Sequence, residues 1–175
     1  LVRLAQENKR VLRLKGGDPY VFGRGGEEAE TLVDAGIPFE VVPGVTAASG
    51  IGSYAGIPLT HRDHAQSVVF ATGHKKEGPV DLDWAALARP GEVAAIYMGK
   101  KSARFVQGRL IMHGADRATP VTVIENASRA DERVLETTLD RLPADLADAD
   151  LSGPALTFLG LAPRQSRAAL ADLNM

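Results

Sequence analysis

The sequence predicts an α/β protein built from two units. Short apolar runs of strand length alternate with segments of helical spacing along the whole 175-residue chain. Glycine-rich loops follow several predicted strands, at the position where open α/β sheets bind ligands. Because the connections are long enough to hold helices, we expect largely parallel strand pairing.

Residues 1–62 form the first predicted unit, an α/β domain that is incomplete because two strands are too few for a stable sheet. The chain begins without methionine, inside what reads as an amphipathic helix, and we therefore expect a missing N-terminal segment. The predicted elements are, in order, strand Val11–Leu14, a helix over Glu27–Asp34 that ends before Gly36, strand Phe39–Val42, and a helix over Ala47–Ala55 capped by Thr46.

Residues 63–66 form a polar linker, and residues 67–163 form the second predicted α/β domain. Residues 164–175 form a tail of helical composition without an obvious partner. The predicted elements of the second domain are, in order, strand Val68–Thr72, a helix from Asp83 to Ala88, strand Glu92–Met98, helix Ser102–His113, and strands Val121–Ile124, Arg133–Leu139 and Leu156–Leu159.

Composition excludes several classes of protein. Apolar residues make up 45% and charged residues 24%, as in soluble globular domains. The 20 basic and 22 acidic side chains give a net charge of −2, which argues against nucleic-acid and membrane partners and requires locally placed arginines to hold any anion. The absence of cysteine excludes disulfides and thiolate chemistry and fits a cytoplasmic location. The longest uncharged stretch, Val41–Thr60, is interrupted by glycines and prolines, so we predict no membrane span and no signal peptide.

The glycine-rich loop after the first predicted strand is a candidate ligand site. Gly16 and Gly17 let a ligand approach the backbone, and Asp18 offers a carboxylate to a hydroxyl or cationic group. Gly25 and Gly26 stand at a helix start, where free N–H groups attract anions. The alternative is a glycine-rich turn without a ligand. The spacing matches neither the P-loop nor the dinucleotide fingerprint.

Three further loops carry polar or small residues. The loop at residues 43–50 is either a surface for a flat ligand or an ordinary capped helix start. His61 and His64 form either a metal-binding pair, for which no third ligand stands at a recognisable spacing, or part of a solvated linker. Arg62 could hold a carboxylate through both guanidinium nitrogens. Met98, which ends a strand, is either a core residue or a ligand contact.

Together these motifs resemble the uroporphyrinogen-III C-methyltransferases, a branch of the tetrapyrrole methylases. The resemblance extends from Leu4 to Pro163. It implies a homodimer whose chains each have two α/β domains with a ligand cleft between them. It also implies transfer of methyl groups from S-adenosyl-L-methionine to C2 and C7 of uroporphyrinogen III. The products would be S-adenosyl-L-homocysteine and precorrin-2, a precursor of siroheme, cobalamin or haem d1. The motifs that carry it are Arg13–Glu28, Val42–Ala48, Ala55–Arg62 and Tyr97–Gly99.

The resemblance also assigns residues to roles. The expected cofactor contacts are Gly16, Gly17, Asp18, Val21, Thr46, Ala47, Met98 and Ala127, the last standing where many members have glycine. Arg24, Glu27 and Arg62 match positions for tetrapyrrole binding or proton handling. The arginines suit an octacarboxylic substrate, and Glu27 could assist proton loss if its surroundings favour its protonated form. A sulfonium is already an activated methyl donor, so we expect no metal. A related precorrin methyltransferase and a non-catalytic, dimerising or ligand-binding remnant are the alternatives.

Overall fold

A computed structural model describes residues 1–63 and 65–161. The chain divides into two compact units, with residues 1–47 in the first and Ala48 at the start of the second. The linker predicted at 63–66 therefore lies within the second unit, and the domain boundary there stays a prediction. His64 and the predicted tail at 164–175 lie outside the described residues.

The first unit contains helices but no strands. Helix α1 spans Val2–Gln6, and α2 spans Gly25–Asp34, which confirms the helix predicted there. The strands predicted at Val11–Leu14 and Phe39–Val42 are wrong, because neither segment pairs with any described residue. An extended segment becomes a strand only when a neighbour takes up its backbone hydrogen bonds. Within residues 1–47 only Gly25 is buried, so this unit has no apolar core of its own.

The second unit contains a five-stranded sheet of order β1-β2-β5-β3-β4. All five strands lie within the predicted ranges or extend one residue beyond them, which confirms the predicted α/β class. Their bounds are β1 Val69–Thr72, β2 Ala94–Tyr97, β3 Pro120–Glu125, β4 Arg133–Thr138 and β5 Ala155–Leu159.

The expectation of largely parallel pairing is wrong. Only β1 and β2 run parallel, whereas β2–β5, β3–β5 and β3–β4 are antiparallel. Residues 126–132 join β3 to β4, and this connection is shorter than the dozen or so residues that a parallel crossover needs. The last of these strands, β5, lies between β2 and β3 and runs antiparallel to both of them.

Helices cover both faces of this sheet. The predicted helix after Asp83 is confirmed as α4, and the Asp83 carboxylate caps it by accepting a hydrogen bond from the N–H of Ala86 at 2.9 Å. A larger cluster around Trp84 and Leu110 fills one part of the core, and a smaller cluster contains Phe158. The remaining helices are α3 Ala47–Tyr54, α4 Trp84–Leu87, α5 Ala103–Met112 and α6 Leu142–Ala149, of which α6 was not predicted.

The strand register brings three strand ends to one end of the sheet. Thr72, the last residue of β1, pairs with Tyr97, the last residue of β2. Tyr97 pairs with Leu156 and Glu125 pairs with Ala155, so β2 and β3 both end where β5 begins. We call this the carboxyl end of the sheet. The loops after β1, β2 and β3 all leave from it.

Candidate functional site

In the first unit, Asp18 joins the first glycine-rich loop to the loop that precedes α3. Its carboxylate accepts one hydrogen bond from the N–H of Tyr20 at 2.9 Å and another from the N–H of Gly44 at 3.2 Å. A carboxylate accepts about four hydrogen bonds, so these two leave capacity for a ligand. Asp18 therefore fixes the loop geometry in addition to the ligand contact predicted for it.

Glycines allow the two loops to touch backbone to backbone. Gly17 has a φ of +85°, and a Cβ at this position would lie 3.3 Å from the carbonyl oxygen of Val45. A Cβ at Gly44 would lie only 2.6 Å from the carbonyl oxygen of Gly17. At Gly16, by contrast, a Cβ would have no atom within 4 Å, so one face of the backbone is open. The structure thus brings together five of the predicted cofactor contacts, which are Gly16, Gly17, Asp18, Thr46 and Ala47. Their binding role stays a prediction.

Arg24 and Glu27 bind each other at the start of α2. The Arg24 Nε donates to the Glu27 carboxylate at 2.6 Å, and the two side chains are 81% and 63% exposed. This hydrogen bond and the charge of Glu27 raise the pKa of Arg24 further, so the guanidinium stays charged. Both members of this ion pair face solvent, and the part of Glu27 in proton loss stays a prediction.

The N–H of Gly25 is not available to an anion, contrary to the expectation for this helix start. It donates to the carbonyl oxygen of Pro19 at 2.9 Å, and Gly25 is buried. A Cβ at Gly25 would lie 2.5 Å from that same oxygen, so the position admits only glycine. Val21, a predicted cofactor contact, lies in the same turn, where its N–H donates to the carbonyl oxygen of Asp18 at 3.4 Å.

A cavity of about 490 Å³ in the first unit is lined by more cations than carboxylates. Arg13 and Lys15 both bind the Glu28 carboxylate, at 3.2 and 2.9 Å. The hydrogen bond from Lys15 is the main reason that the pKa of Glu28 is lowered, and it keeps that carboxylate charged. The charged lining residues are Arg3, Arg13, Lys15, Arg24, Glu27 and Glu28.

In the second unit, Met98 and Ala127 both lie at the carboxyl end of the sheet. Met98 follows β2, has a φ of +55° and is half exposed, so its interpretation as a core residue is wrong. Asn126 and Ser128, on either side of Ala127, have φ values of +50° and +66°. Non-glycine residues in this left-handed region are uncommon and cluster at functional sites. β5 separates β2 from β3, so the two loops leave strands about 10 Å apart.

Tyr97 belongs to the motif Tyr97–Gly99, but the sequence analysis gave its side chain no role. Its phenolic oxygen accepts a hydrogen bond from the N–H of Ala48 at 2.9 Å, which attaches the first turn of α3 to the carboxyl end of the sheet. Its ring packs edge-on against Phe70, with the ring centroids 6.3 Å apart. The only signal in the sequence was its place beside Met98, because nothing local showed which backbone group the hydroxyl would bind.

Arg62 and Asp63 lie in a turn, next to the backbone pairing of His61 with Ala65. His61 and Ala65 exchange both backbone hydrogen bonds, at 2.7 and 3.0 Å, and the N–H of Asp63 donates to His61 Nδ1 at 3.2 Å. Arg62 is exposed in this turn. Among residues 1–63 and 65–161, no three His, Asp or Glu side chains lie close enough together to hold a metal ion. No helix in the same ranges is long and apolar enough to span a bilayer.

The chain is similar to proteins that act on tetrapyrroles. The family model described as Tetrapyrrole (Corrin/Porphyrin) Methylases matches residues 1–143. Siroheme synthase from Nitrosospira multiformis is 57% identical and that from Azotobacter vinelandii 56% identical, each over 160 residues and 91% of this chain. The chain covers 34% of the length of these two relatives, about a third.

Solved structures give the same likeness. A uroporphyrin-III C-methyl transferase from Thermus thermophilus, complexed with S-adenyl homocysteine, matches with a TM-score of 0.75 and 36% identity, over 91% of this chain and 69% of that chain. A cobalt precorrin-4 methyltransferase matches with a TM-score of 0.80 and 27% identity, over 91% of this chain and 67% of that one.

Proposed function

Since the chain belongs to the tetrapyrrole methylase family, we propose that it transfers methyl groups from S-adenosyl-L-methionine to C2 and C7 of uroporphyrinogen III, giving precorrin-2. The observation that carries this proposal is the 36% identity and TM-score of 0.75 to a uroporphyrin-III C-methyl transferase that binds S-adenyl homocysteine. The chain spans about a third of its siroheme synthase relatives, so the activity is proposed for a methylase unit of this kind.

The residues of the first unit fit the proposed cofactor. The backbone has an open face at Gly16, which a side chain would cover, next to the close backbone contact between Gly17 and Gly44. Asp18 has unused acceptor capacity next to this open face, suited to a ribose hydroxyl or an amino group. In the second unit the half-exposed Met98 and the backbone at Ala127 offer further contacts. When bound, the cofactor supplies an activated methyl group on a sulfonium, and the protein only has to align it with the accepting carbon.

The substrate would be held by guanidinium and ammonium groups. Uroporphyrinogen III carries eight carboxylates, and the cation-rich cavity in the first unit offers charged donors that pair with carboxylates. Arg24 stays charged while bound to Glu27, and an incoming carboxylate can compete for it because the pair is exposed. Arg62, exposed in its turn, is the second proposed guanidinium. The cleft between domains, the homodimer and the cytoplasmic location expected from the resemblance belong to this proposal.

Two experiments test the proposal. Titration calorimetry with S-adenosyl-L-homocysteine should show binding at sub-millimolar concentration to protein with a folded circular-dichroism spectrum. Folded protein that gives no heat would contradict cofactor binding and favour a non-catalytic remnant. Incubation with S-adenosyl-L-methionine and uroporphyrinogen III should then yield a dimethylated product by mass spectrometry.

A related precorrin methyltransferase is the second candidate, favoured by the TM-score of 0.80 to the cobalt precorrin-4 enzyme. Parallel reactions with uroporphyrinogen III and with later precorrins as acceptors separate the two activities. Methylation of a later precorrin alone would refute the proposed substrate while leaving cofactor binding intact.

A further inference from the structure

A buried carboxylate lies directly beneath the loop that carries Ala127. Glu125 is the last residue of β3, and its side chain is only 3% exposed. One carboxylate oxygen accepts a hydrogen bond from the N–H of Gly153 and lies 3.8 Å from the ammonium of Lys100. The other lies 3.7 Å from the guanidinium of Arg133, its cross-strand neighbour on β4. Such a group is rarely buried without a reason, because removing a charge from water is costly.

Lys100 connects this carboxylate to the loop that carries Met98. It stands two residues after Met98, in the short 3-10 helix of residues 100–102. Its ammonium donates to the carbonyl oxygen of Leu151 at 2.9 Å and to that of Gly153. Two of its three donors therefore bind carbonyl oxygens, and the Glu125 carboxylate lies at ion-pair distance, 3.8 Å away.

The segment 151–154, just before β5, is therefore in contact with both loops. On the β2 side, the Lys100 ammonium donates hydrogen bonds to two carbonyl oxygens of this segment. On the β3 side, Glu125 binds the Gly153 N–H, and the N–H of Asn126 donates to the carbonyl oxygen of Pro154 at 3.0 Å. Gly153 lies so close to the Asn126 side chain that a Cβ there would overlap it.

We propose that Lys100 and Glu125 are positioning residues that hold the Met98 loop and the Ala127 loop at a fixed separation through segment 151–154, and thereby set the affinity for the S-adenosyl group. The proposal rests on the function proposed above. Neither side chain needs to touch the cofactor. The left-handed backbone at Met98 and Asn126 requires support from the surroundings to persist, and these polar contacts supply it on both sides of β5.

Three variants and one control test the pair. Lys100→Met removes the ammonium but keeps the length of the side chain, and Glu125→Gln is nearly isosteric and keeps an oxygen for the Gly153 N–H. Lys100→Arg restores a cation with several donors. Lys101→Met is the matched control, because this neighbouring lysine is exposed and takes no part in the contacts described.

Two readouts separate positioning from simple stability. The ¹³C-methyl signal of Met98 in methionine-labelled protein, assigned with Met98→Leu, reports the conformation of its loop, and exposed Met112 is the internal reference. Calorimetry gives the Kd for S-adenosyl-L-homocysteine. We expect Lys100→Met and Glu125→Gln to move the Met98 signal and to raise the Kd about tenfold. Lys100→Met loses the hydrogen bonds from the ammonium, and Glu125→Gln loses the charge that faces Lys100 and Arg133. We expect Lys100→Arg to recover most of the affinity and Lys101→Met to match the parent protein.

The possible failures are distinguishable. If the folded variants keep both the Met98 signal and the Kd of the parent, the positioning role is refuted. A shifted Met98 signal with an unchanged Kd refutes the claim that the pair sets affinity. If the parent protein itself does not bind the ligand while the variants still shift Met98, the proposed function fails and the structural coupling stands. If Lys100→Met unfolds, Glu125→Gln alone decides by the same criteria.

Discussion

A single methyl group at Gly44 is expected to weaken cofactor binding, because it would separate the two loops that meet at Gly17. A Cβ at Gly44 would lie 2.6 Å from the Gly17 carbonyl oxygen, whereas ordinary van der Waals contact begins at 3.4 Å. In Gly44→Ala the loops must therefore move apart by about 0.8 Å. The hydrogen bond from the Gly44 N–H to Asp18 is already 3.2 Å long and does not survive this shift.

The expected cost follows from that hydrogen bond. A bond to a charged group contributes about 1.5–3 kcal/mol, and the lower end applies because this one is exposed. That corresponds to roughly a tenfold rise in the Kd for S-adenosyl-L-homocysteine, measured by calorimetry. Gly26→Ala is the control, since a Cβ there meets no atom within 4 Å, and its Kd should equal that of the parent. If the Kd of Gly44→Ala lies within a factor of two of the parent value, the contact between the two loops does not determine the affinity for the cofactor.

Three further predictions concern the second unit. Met98→Ala should raise the Kd for S-adenosyl-L-homocysteine while changing the free energy of unfolding by less than about 0.5 kcal/mol, because the side chain is half exposed; a large loss of stability in urea would contradict this. Trp84→Ala should cost about 3–5 kcal/mol of unfolding free energy, since the ring is buried against Phe105 and Arg109, and an unchanged urea midpoint would refute the packing. The hydrogen bond from Arg141, followed by that from Thr137, lowers the pKa of Asp145 from its ordinary value of 3.8. This carboxylate therefore stabilises the fold above pH 3.8, and its contribution disappears as the pH falls through the lowered pKa. Asp145→Asn should be less stable than the parent at pH 7, with a difference in unfolding free energy that shrinks below pH 3.8, and a difference independent of pH would exclude the ion pair.

Local sequence patterns were sufficient where an element depends on its own residues. The cap at Asp83 and the apolar run of β3 need only nearby information, and the structure confirms both. Helix α6 was missed although Pro143 near its start and Asp145 in its first turn are typical helix-start signals. Those two signals could have found it.

Properties that depend on distant partners were not predictable in this way. Val11–Leu14 has the composition of a strand, but no described segment supplies its hydrogen-bonding neighbour. The direction of β5 depends on the strands with which it pairs, and the sequence of its five residues does not indicate those strands. The same applies to Glu125, whose burial and contact with Lys100 arise only when the end of β3, residue 100 and Gly153 are brought together.

The central place of β5 has a consequence for synthesis on the ribosome. Among the five strands of this sheet the last to emerge, β5, lies between β2 and β3. Until residues 155–159 leave the exit tunnel, this sheet consists of two separate pairs, β1–β2 and β3–β4. Two-stranded pairs are at best marginally stable in water. The sheet of the second unit therefore cannot be completed before β5 has emerged, and a ribosome stalled shortly before Ala155 would present an unassembled sheet to chaperones and proteases.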